Sequence, residues 1–332
     1  MNVLAIESSC DDTAAAVVSG GPDGRCVVLS DIVWSQDIHA RYGGVVPELA
    51  SRAHAEQVLP VVRAALTEGG IARPDAVVAT SGPGLVGAVL VGLCFAKSLA
   101  AGWDVPFLGV HHLEGHLLAP LLEDPAPEFP FLALIVSGGH TTLYLAESLG
   151  VYHTLAETAD DAVGEAFDKV ARMLGRGYPG GPVVDALARE GRADAIALPR
   201  PKAPTDAGPL DMSFAGLKTA VRTHLERHPD TAPADMAASF QAAVADVLLD
   251  RVRKAVARTG VTRVTLGGGA AANSVLRERF SAEPGLQVFL PPRRRCTDNA
   301  AMIGLVGRLR LLRGERSGFD TTARPRWPVG AP

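Results

Sequence analysis

Aromatic side chains make up only 5% of this 332-residue sequence, so a core of large interlocking rings is excluded and smaller residues must fill the interior. Four cysteines, Cys10, Cys26, Cys94 and Cys296, form no CxxC pair. That spacing excludes a disulfide framework and the usual structural zinc motifs. Cys26 and Cys94 are expected as small buried apolar residues. No run of eighteen uninterrupted apolar residues occurs, and the opening MNVLAIESSCDD has no basic leader ahead of its acids. Neither a membrane span nor a secretory signal is therefore predicted. An excess of positive charge is missing too. The formal net charge is −4, which argues against nucleic-acid binding driven by overall charge. Isolated thiols and the missing leader predict a cytoplasmic protein with no membrane contact.

What the chain does have is a repeated pattern. Residues 3–18 (VLAIESSCDDTAAAVV) and 132–147 (LALIVSGGHTTLYLAE) both read as apolar strand, polar turn, apolar strand. Downstream of each lies a strand, a Gly-rich turn and a helix, at 76–100 and at 263–280. This predicts a duplicated α/β architecture of two lobes with a cleft between them. Lobe I is expected over 1–119, completed by a C-terminal helix at about 298–325, and lobe II over 131–297. The Pro-rich stretch 120–130 is the expected linker. Period-3.6 apolar spacing predicts helices over 48–67, 234–258 and 298–313, the last opened by an Asp-Asn cap and stopped at Gly314. An irregular loop is expected over 199–211, and a loose tail after about 317, apart from Trp327.

The sharpest chemical signal is HHLEGHLLAP (111–120). His112 and His116 stand i and i+4, about 40° apart on a helix, so both imidazoles share one face. Such a pair suits Zn²⁺ or Fe²⁺, although two ordinary surface histidines would show the same spacing. Glu114 falls roughly 200° from His112, which is not the HExxH arrangement of zinc proteases. His111 competes as a ligand, but its i+4 partner is Gly115. A third ligand is expected from a distant acid, and Asp298 is one candidate, with helix capping as its alternative role.

Gly turns supply a second signal: SGPG (81–84), SGGH (137–140), GYPGG (177–181) and GGGAAAN (267–273) sit at strand ends. Glycine lets main-chain N–H groups approach a phosphate. None matches a P-loop or GxGxxG pattern. Acids near these turns, Asp11, Asp12, Glu165 and Asp168, either cap and pair on the surface or grip a ribose hydroxyl or a proton. Two basic clusters, Arg293–Arg295 and Arg251, Arg253, Lys254, Arg258, are solvated faces or small patches for an RNA backbone.

Together these stretches resemble the universal family of tRNA N6-adenosine threonylcarbamoyltransferases, the bacterial TsaD type. The resemblance runs nearly end to end, through IESSCDDTAAAVV, GGVVPELASRAH, TSGPGLVGAVLVG, HHLEGHLLAP, LIVSGGHTTL, DDAVGEAFDKVARMLGRGYPGGP, MSFAGLKTAV, LGGGAAANSVLR, CTDNAAMI and ARPRWP. It implies the actin-like fold of sugar kinases and heat-shock ATPases. It implies one divalent metal, Fe²⁺ or Zn²⁺, on His112, His116 and Asp298, meeting across the groove between the halves. It also implies substrate contacts at Ile135, Val136, Ser137, Gly138, Gly139, Asp168, Gly181, Asp185 and Asn273. The family's acid after the first strand corresponds to Asp11, a proton acceptor or orienter. The implied reaction moves threonylcarbamoyl from threonylcarbamoyl-adenylate to N6 of adenosine-37 in tRNAs reading codons that begin with A, releasing AMP; ATP binding to the chain is a further possibility. Implied partners are tRNA, a TsaB-like inactive paralogue, a TsaE-like ATPase and an upstream threonylcarbamoyl-adenylate synthase. The family usually reads Asp-Glu where this chain has Asp11-Asp12, one methylene shorter. Two alternatives stand beside this reading: a small-molecule kinase of the same fold, which has no use for the histidine pair, and a non-catalytic scaffold, which would not need to keep the metal triad.

Overall fold

The structure, a computed structural model, describes residues 1–20, 25–204 and 207–330. The chain forms two compact units: residues 1–126 with 297–332, and residues 127–296. In the first unit, strands β1 (Val3–Glu7), β2 (Asp12–Gly20) and β3 (Cys26–Ser35) form an antiparallel meander. Helix α1 (Pro47–Glu68) follows, then β4 (Ala76–Gly82), α2 (Val86–Trp103), β5 (Phe107–His111) and the short α3 (His112–Leu118). Strands β1, β4 and β5 run parallel, and the sheet order is β3-β2-β1-β4-β5.

The second unit repeats the scheme. Strands β6 (Phe131–Val136), β7 (Thr141–Ser148) and β8 (Val151–Glu157) form the meander. Helices α4 (Val163–Met173), α5 (Gly180–Ala188), α6 (Ala215–Arg227) and α7 (Pro233–Thr259) lead to β9 (Arg263–Gly267), α8 (Ser274–Ser281) and β10 (Gln287–Phe289). Strand β9 pairs parallel with β6, β10 with β9, and the order is β10-β9-β6-β7-β8. The two sheets therefore share one topology. The chain returns to the first unit as α9 (Ala300–Leu312).

Small residues explain the packing. In α9, a Cβ at Gly304 would stand 2.8 Å from a Val18 methyl, and one at Gly307 would stand 2.6 Å from a Val78 methyl. Only glycine lets this helix lie so close to the sheet. Helix α2 is long and apolar enough to cross a bilayer by composition, but here its Ala88, Val89, Leu93, Ala96 and Ala100 fill the core beside β1 and β4. Local chemistry sets the helix ends. Pro47 and Pro233 open α1 and α7, where the missing N–H costs nothing, and Gly260 closes α7 at φ +72°.

Three expectations need correction. The tail after 317 is not loose: Ser317 N–H donates to Phe107 O at 2.9 Å, Arg324 N–H to Ser81 O at 2.7 Å, and Lys97 Nζ to Phe319 O at 3.1 Å and Thr321 O at 3.0 Å. Main-chain pairing of this kind leaves no hydrophobic period to read in a sequence. Cys94 is exposed and Cys26 half-buried, because the α2 and β3 faces that carry them point away from the core; Cys296 is the buried thiol. The Arg251–Arg258 cluster is partly offset by two acids, Glu283 and Asp250. Arg253 grips Glu283 through two hydrogen bonds of 2.6 and 2.7 Å, Lys254 pairs with Asp250 at 2.7 Å, and Arg251 is buried against Asp211 O and Asp250. Of the loop expected over 199–211, Thr205 and Asp206 lie outside the described residues.

Candidate functional site

In the first unit, β1 ends on a carboxylate in an otherwise apolar run, and β5 delivers the chain directly into α3. On α3, His112 and His116 do share a face, with ring centroids 4.8 Å apart. Asp298 Oδ1 lies 3.0 Å from His116 Nε2 and 3.5 Å from His112 Nε2. The three donor atoms lie within 4.8 Å of one another, and they form the one such cluster among the described residues. All three belong to the first unit, so the trio assembles within one unit instead of drawing a ligand from each half.

Asp298 is available because its neighbour does the capping. Asn299, not Asp298, is the N-cap of α9, its side chain accepting from Met302 N–H at 3.0 Å. The other residues of HHLEGH also find separate work. His111 caps α3, with Nδ1 accepting from Leu113 N–H at 3.1 Å. Glu114 points away from the pair and holds Arg310 of α9, at 3.0 Å from Nε and 2.8 Å from Nη2. Gly115 faces α9, where a Cβ would come within 3.0 Å of Ile303 and Met302. That close approach brings the start of α9, and Asp298 with it, to the histidines.

Glu7 was not foreseen as a site residue. Fully buried, it accepts from Ser9 N–H, from Thr80 Oγ1–H and from His112 Nδ1–H at 2.9 Å. The last bond places a proton on Nδ1, so that in the neutral ring the Nε2 lone pair faces Asp298, the carboxylate–histidine arrangement that orients metal ligands. Burial by itself would raise Glu7 and lower His112. Their mutual attraction overrides it, holding Glu7 below the usual carboxylate range and lifting His112 to about 9. The cluster thus favours a positive charge at its centre, as a divalent cation would provide. An acid closing a fully apolar strand, VLAIE, was the sequence signal that could have found Glu7.

The turn from Ser8 to Asp12 carries Asp11. Its carbonyl accepts from Gln36 N–H at 3.2 Å, and Cys10 O accepts from His54 Nε2 at 3.0 Å. Burial, then the nearby Asp11 and Asp298 carboxylates, push the Cys10 thiol far up, so it stays protonated. Asp12 opens β2 and bonds Ser35; burial, with Asp298, Asp11 and Glu7 adding repulsion, raises it to about 7.

The nine residues expected to bind substrate all fall in the second unit, around the carboxyl ends of the parallel strands β6 and β9, where open α/β sheets take ligands. They do not play equal parts. Ile135 and Val136 are core side chains of β6, so neither side chain can meet a ligand, and their main chain lies in the sheet opposite Thr142 and Thr141 of β7. Gly138 and Gly139 are exposed, and a Cβ on either would meet open space. Ser137 orders this turn, its Oγ accepting from His140 N–H at 3.1 Å and its carbonyl from Gly164 N–H at 3.0 Å. Asp168 Oδ1 accepts from Gly180 N–H at 2.7 Å at the start of α5, while burial raises its carboxyl despite that bond. Gly181, next along, opens onto free space. Asp185 Oδ1 accepts from Ser274 N–H at 3.0 Å and Oγ–H at 2.6 Å. Asn273 caps α8 through Leu276 N–H at 3.1 Å, and its Nδ2 donates to Gln241 Oε1. Asp185 and Asn273 therefore shape the β9–α8 corner with their side-chain atoms.

The whole chain is similar to known proteins. The family model for tRNA N6-adenosine threonylcarbamoyltransferase matches residues 27–305. A protein of that name from Anaeromyxobacter dehalogenans is 54% identical over 98% of both chains, and one from Magnetococcus marinus is 51% identical over 99% of this chain and 97% of its own. Among solved structures, HypF of T. kodakarensis superposes with a TM-score of 0.62 at 17% identity, covering 94% of this chain and 48% of that one. Component A of Acidaminococcus fermentans (R)-2-hydroxyglutaryl-CoA dehydratase reaches 0.56 at 14% identity, over 92% and 96%. The structural likenesses establish the actin-like fold; the near full-length identities place the chain in the family of tRNA N6-adenosine threonylcarbamoyltransferases.

Proposed function

We propose that this protein transfers the threonylcarbamoyl group of threonylcarbamoyl-adenylate to N6 of adenosine-37 in tRNAs that read codons beginning with A. The observation that carries the reading is the His112–His116–Asp298 trio backed by Glu7, inside a chain about half identical to transferases of that name. In the reaction, the N6 amine attacks the carbamoyl carbon of the donor. A C–N bond forms, the bond from that carbon to the phosphate oxygen breaks, and AMP leaves with the electron pair. The amine loses one proton.

The chain's residues divide this work. Main-chain N–H groups of Gly138 and Gly139 suit the phosphate or carboxylate of the donor, since Ser137 N–H is held by His140 O and those of Gly180 and Ser274 by Asp168 and Asp185. Ile135, Val136, Asp168, Gly181, Asp185 and Asn273 frame that cradle. His112, His116 and Asp298 would hold one divalent cation, Fe²⁺ or Zn²⁺, which supplies neutralisation of charge on the phosphate or carbamoyl oxygen. Glu7 keeps His112 in the ligating tautomer. Asp11 accepts or orients the departing proton. Sequence class and reaction also suggest partners: a TsaB-like paralogue, a TsaE-like ATPase and a synthase that makes the adenylate, all in the cytoplasm with the tRNA. Leu59 on α1 and Val86 and Leu90 on α2 are exposed apolar positions that suit the paralogue's docking.

The test is mass spectrometry of nucleosides from tRNA incubated with the protein, these partners, threonine, bicarbonate and ATP. N6-threonylcarbamoyladenosine is expected. Its absence with a fully active partner set would sink the reading, and phosphorylation of a small molecule instead would favour the kinase alternative.

A further inference from the structure

We infer that the C-terminal segment 317–327 is a strap that positions the metal-binding helix, with Trp327 as a positioning residue for the His112–His116 pair. This rests on the metal reading above and deepens it. Helix α3 spans only seven residues, too few to hold its shape unaided, and its ligands tolerate little misdirection. Its first turn is fixed by His111, whose Nδ1 accepts from Leu113 N–H. An acceptor at Nδ1 requires the ring proton on Nε2, and that proton is donated to the Trp327 carbonyl at 2.8 Å. The strap thus selects the tautomer of the residue that caps the helix.

Packing reinforces the bond. The His111 and Trp327 rings lie 4.7 Å apart between centroids, and the Arg324 guanidinium sits 4.7 Å over the same indole. Elsewhere the strap is tied to three elements of the first unit. Ser317 joins β5 through Phe107 O at 2.9 Å and Gly109 N–H at 3.1 Å, and Arg324 N–H and Pro325 O clasp the end of β4 at Ser81 and the turn after it at Gly84. Lys97 of α2 holds two strap carbonyls, those of Phe319 and Thr321. A Cβ on Gly82 would collide with Arg324 O at 2.0 Å, so the turn itself is shaped to admit the strap. None of these contacts touches His112, His116 or Asp298, so the strap acts on the ligands only through His111 and the start of α3.

The experiment titrates Co²⁺ into the full-length metal-free protein and follows visible absorbance, alongside thermal melting and trypsin cleavage after Arg316. Trp327→Ala should cleave faster and bind cobalt about tenfold more weakly, the low end of what lost ligand support costs. Both variants keep the main-chain carbonyl; Trp327→Phe, which also keeps an aromatic ring against His111, should restore binding. Lys97→Met, remote from α3, should weaken binding several-fold and serves if Trp327→Ala fails to fold. Unchanged cobalt affinity in folded Trp327→Ala and Lys97→Met overturns the strap while leaving the metal reading intact. No cobalt binding by the unaltered protein overturns the metal reading, and the strap with it.

Discussion

The two units share a sheet topology, yet they spend the same corner differently. At the end of β1 the chain places Glu7, then the Ser8–Asp12 turn, rich in carboxylates and buried hydroxyls. At the end of β6, the corresponding strand, it places the buried Val136, then the Ser137-Gly-Gly-His turn, exposed at its glycines and without a carboxylate. One corner backs the candidate cation ligands; the other exposes the main chain of two glycines. A repeated scaffold fixes where a functional corner lies, and the few residues at the strand end decide its chemistry.

The largest test of that contrast lies in the first unit. His112→Ala should cut threonylcarbamoyl transfer at least ~100-fold and abolish cation binding, with an unaltered far-ultraviolet dichroism spectrum. Full activity in a cation-free His112→Ala protein would remove the metal from the mechanism. Glu7→Gln follows, with a ~10–100-fold loss of metal affinity measured by competition with a chelating dye, since the amide no longer stabilises the ligating tautomer as a carboxylate does. Unchanged affinity would reduce Glu7 to a packing role.

Glu114→Ala separates fold from chemistry in the same helix. It leaves Arg310 of α9 with Glu315 alone and should cost about 2–3 kcal/mol in denaturant unfolding, below the full value for a buried pair because Arg310 is partly exposed. Residual folded enzyme should keep its turnover rate; a collapse in rate would revive a direct role for Glu114.

In the second unit, adjacent glycines should behave oppositely. A Cβ on Gly180 would meet the Asp168 Cα at 2.6 Å and Phe167 O at 2.7 Å, so Gly180→Ala should destabilise by about 1–3 kcal/mol. Gly181→Ala meets nothing and should change stability by less than about 0.5 kcal/mol, while raising the KM for the adenylate. Equal KM values would exclude Gly181 from the donor cradle.

A further effect in the second unit concerns pH. Burial opposes the Asp161 charge, but hydrogen bonds from Lys218 and Lys169 outweigh it and hold the carboxyl below its usual value. A folded-state pKa below the unfolded one stabilises above the unfolded value, near 3.9, and is lost as pH falls through the folded value. Asp161→Asn should therefore cost about 1 kcal/mol at neutral pH, and its melting curve should converge with that of the unaltered protein below roughly pH 3. A constant gap would assign the cost to something other than the charge.

Much of the fold was legible because its signals are local. Apolar runs broken by Ser, Gly and Asp marked both meanders, and period-3.6 spacing marked α1, α7 and α9. The i and i+4 spacing placed His112 and His116 on one face without any coordinates. Two features stayed out of reach. The tail carries no period to read, since carbonyl and N–H groups bind it. Asp298 was indistinguishable from a helix cap until Asn299 was seen to occupy that place.

By itself, the sequence determined the duplicated strand and helix pattern, the face of the histidine pair and the Gly-rich turns, because each depends on neighbours within about a dozen residues. Tertiary structure alone decided that Glu7 from β1 and Asp298 from the start of α9 converge on those imidazoles, more than a hundred residues away in one direction and nearly two hundred in the other. Contacts of that range follow from how closely α9 can approach α3 and the sheet, which three glycines, Gly115, Gly304 and Gly307, permit and no local pattern encodes.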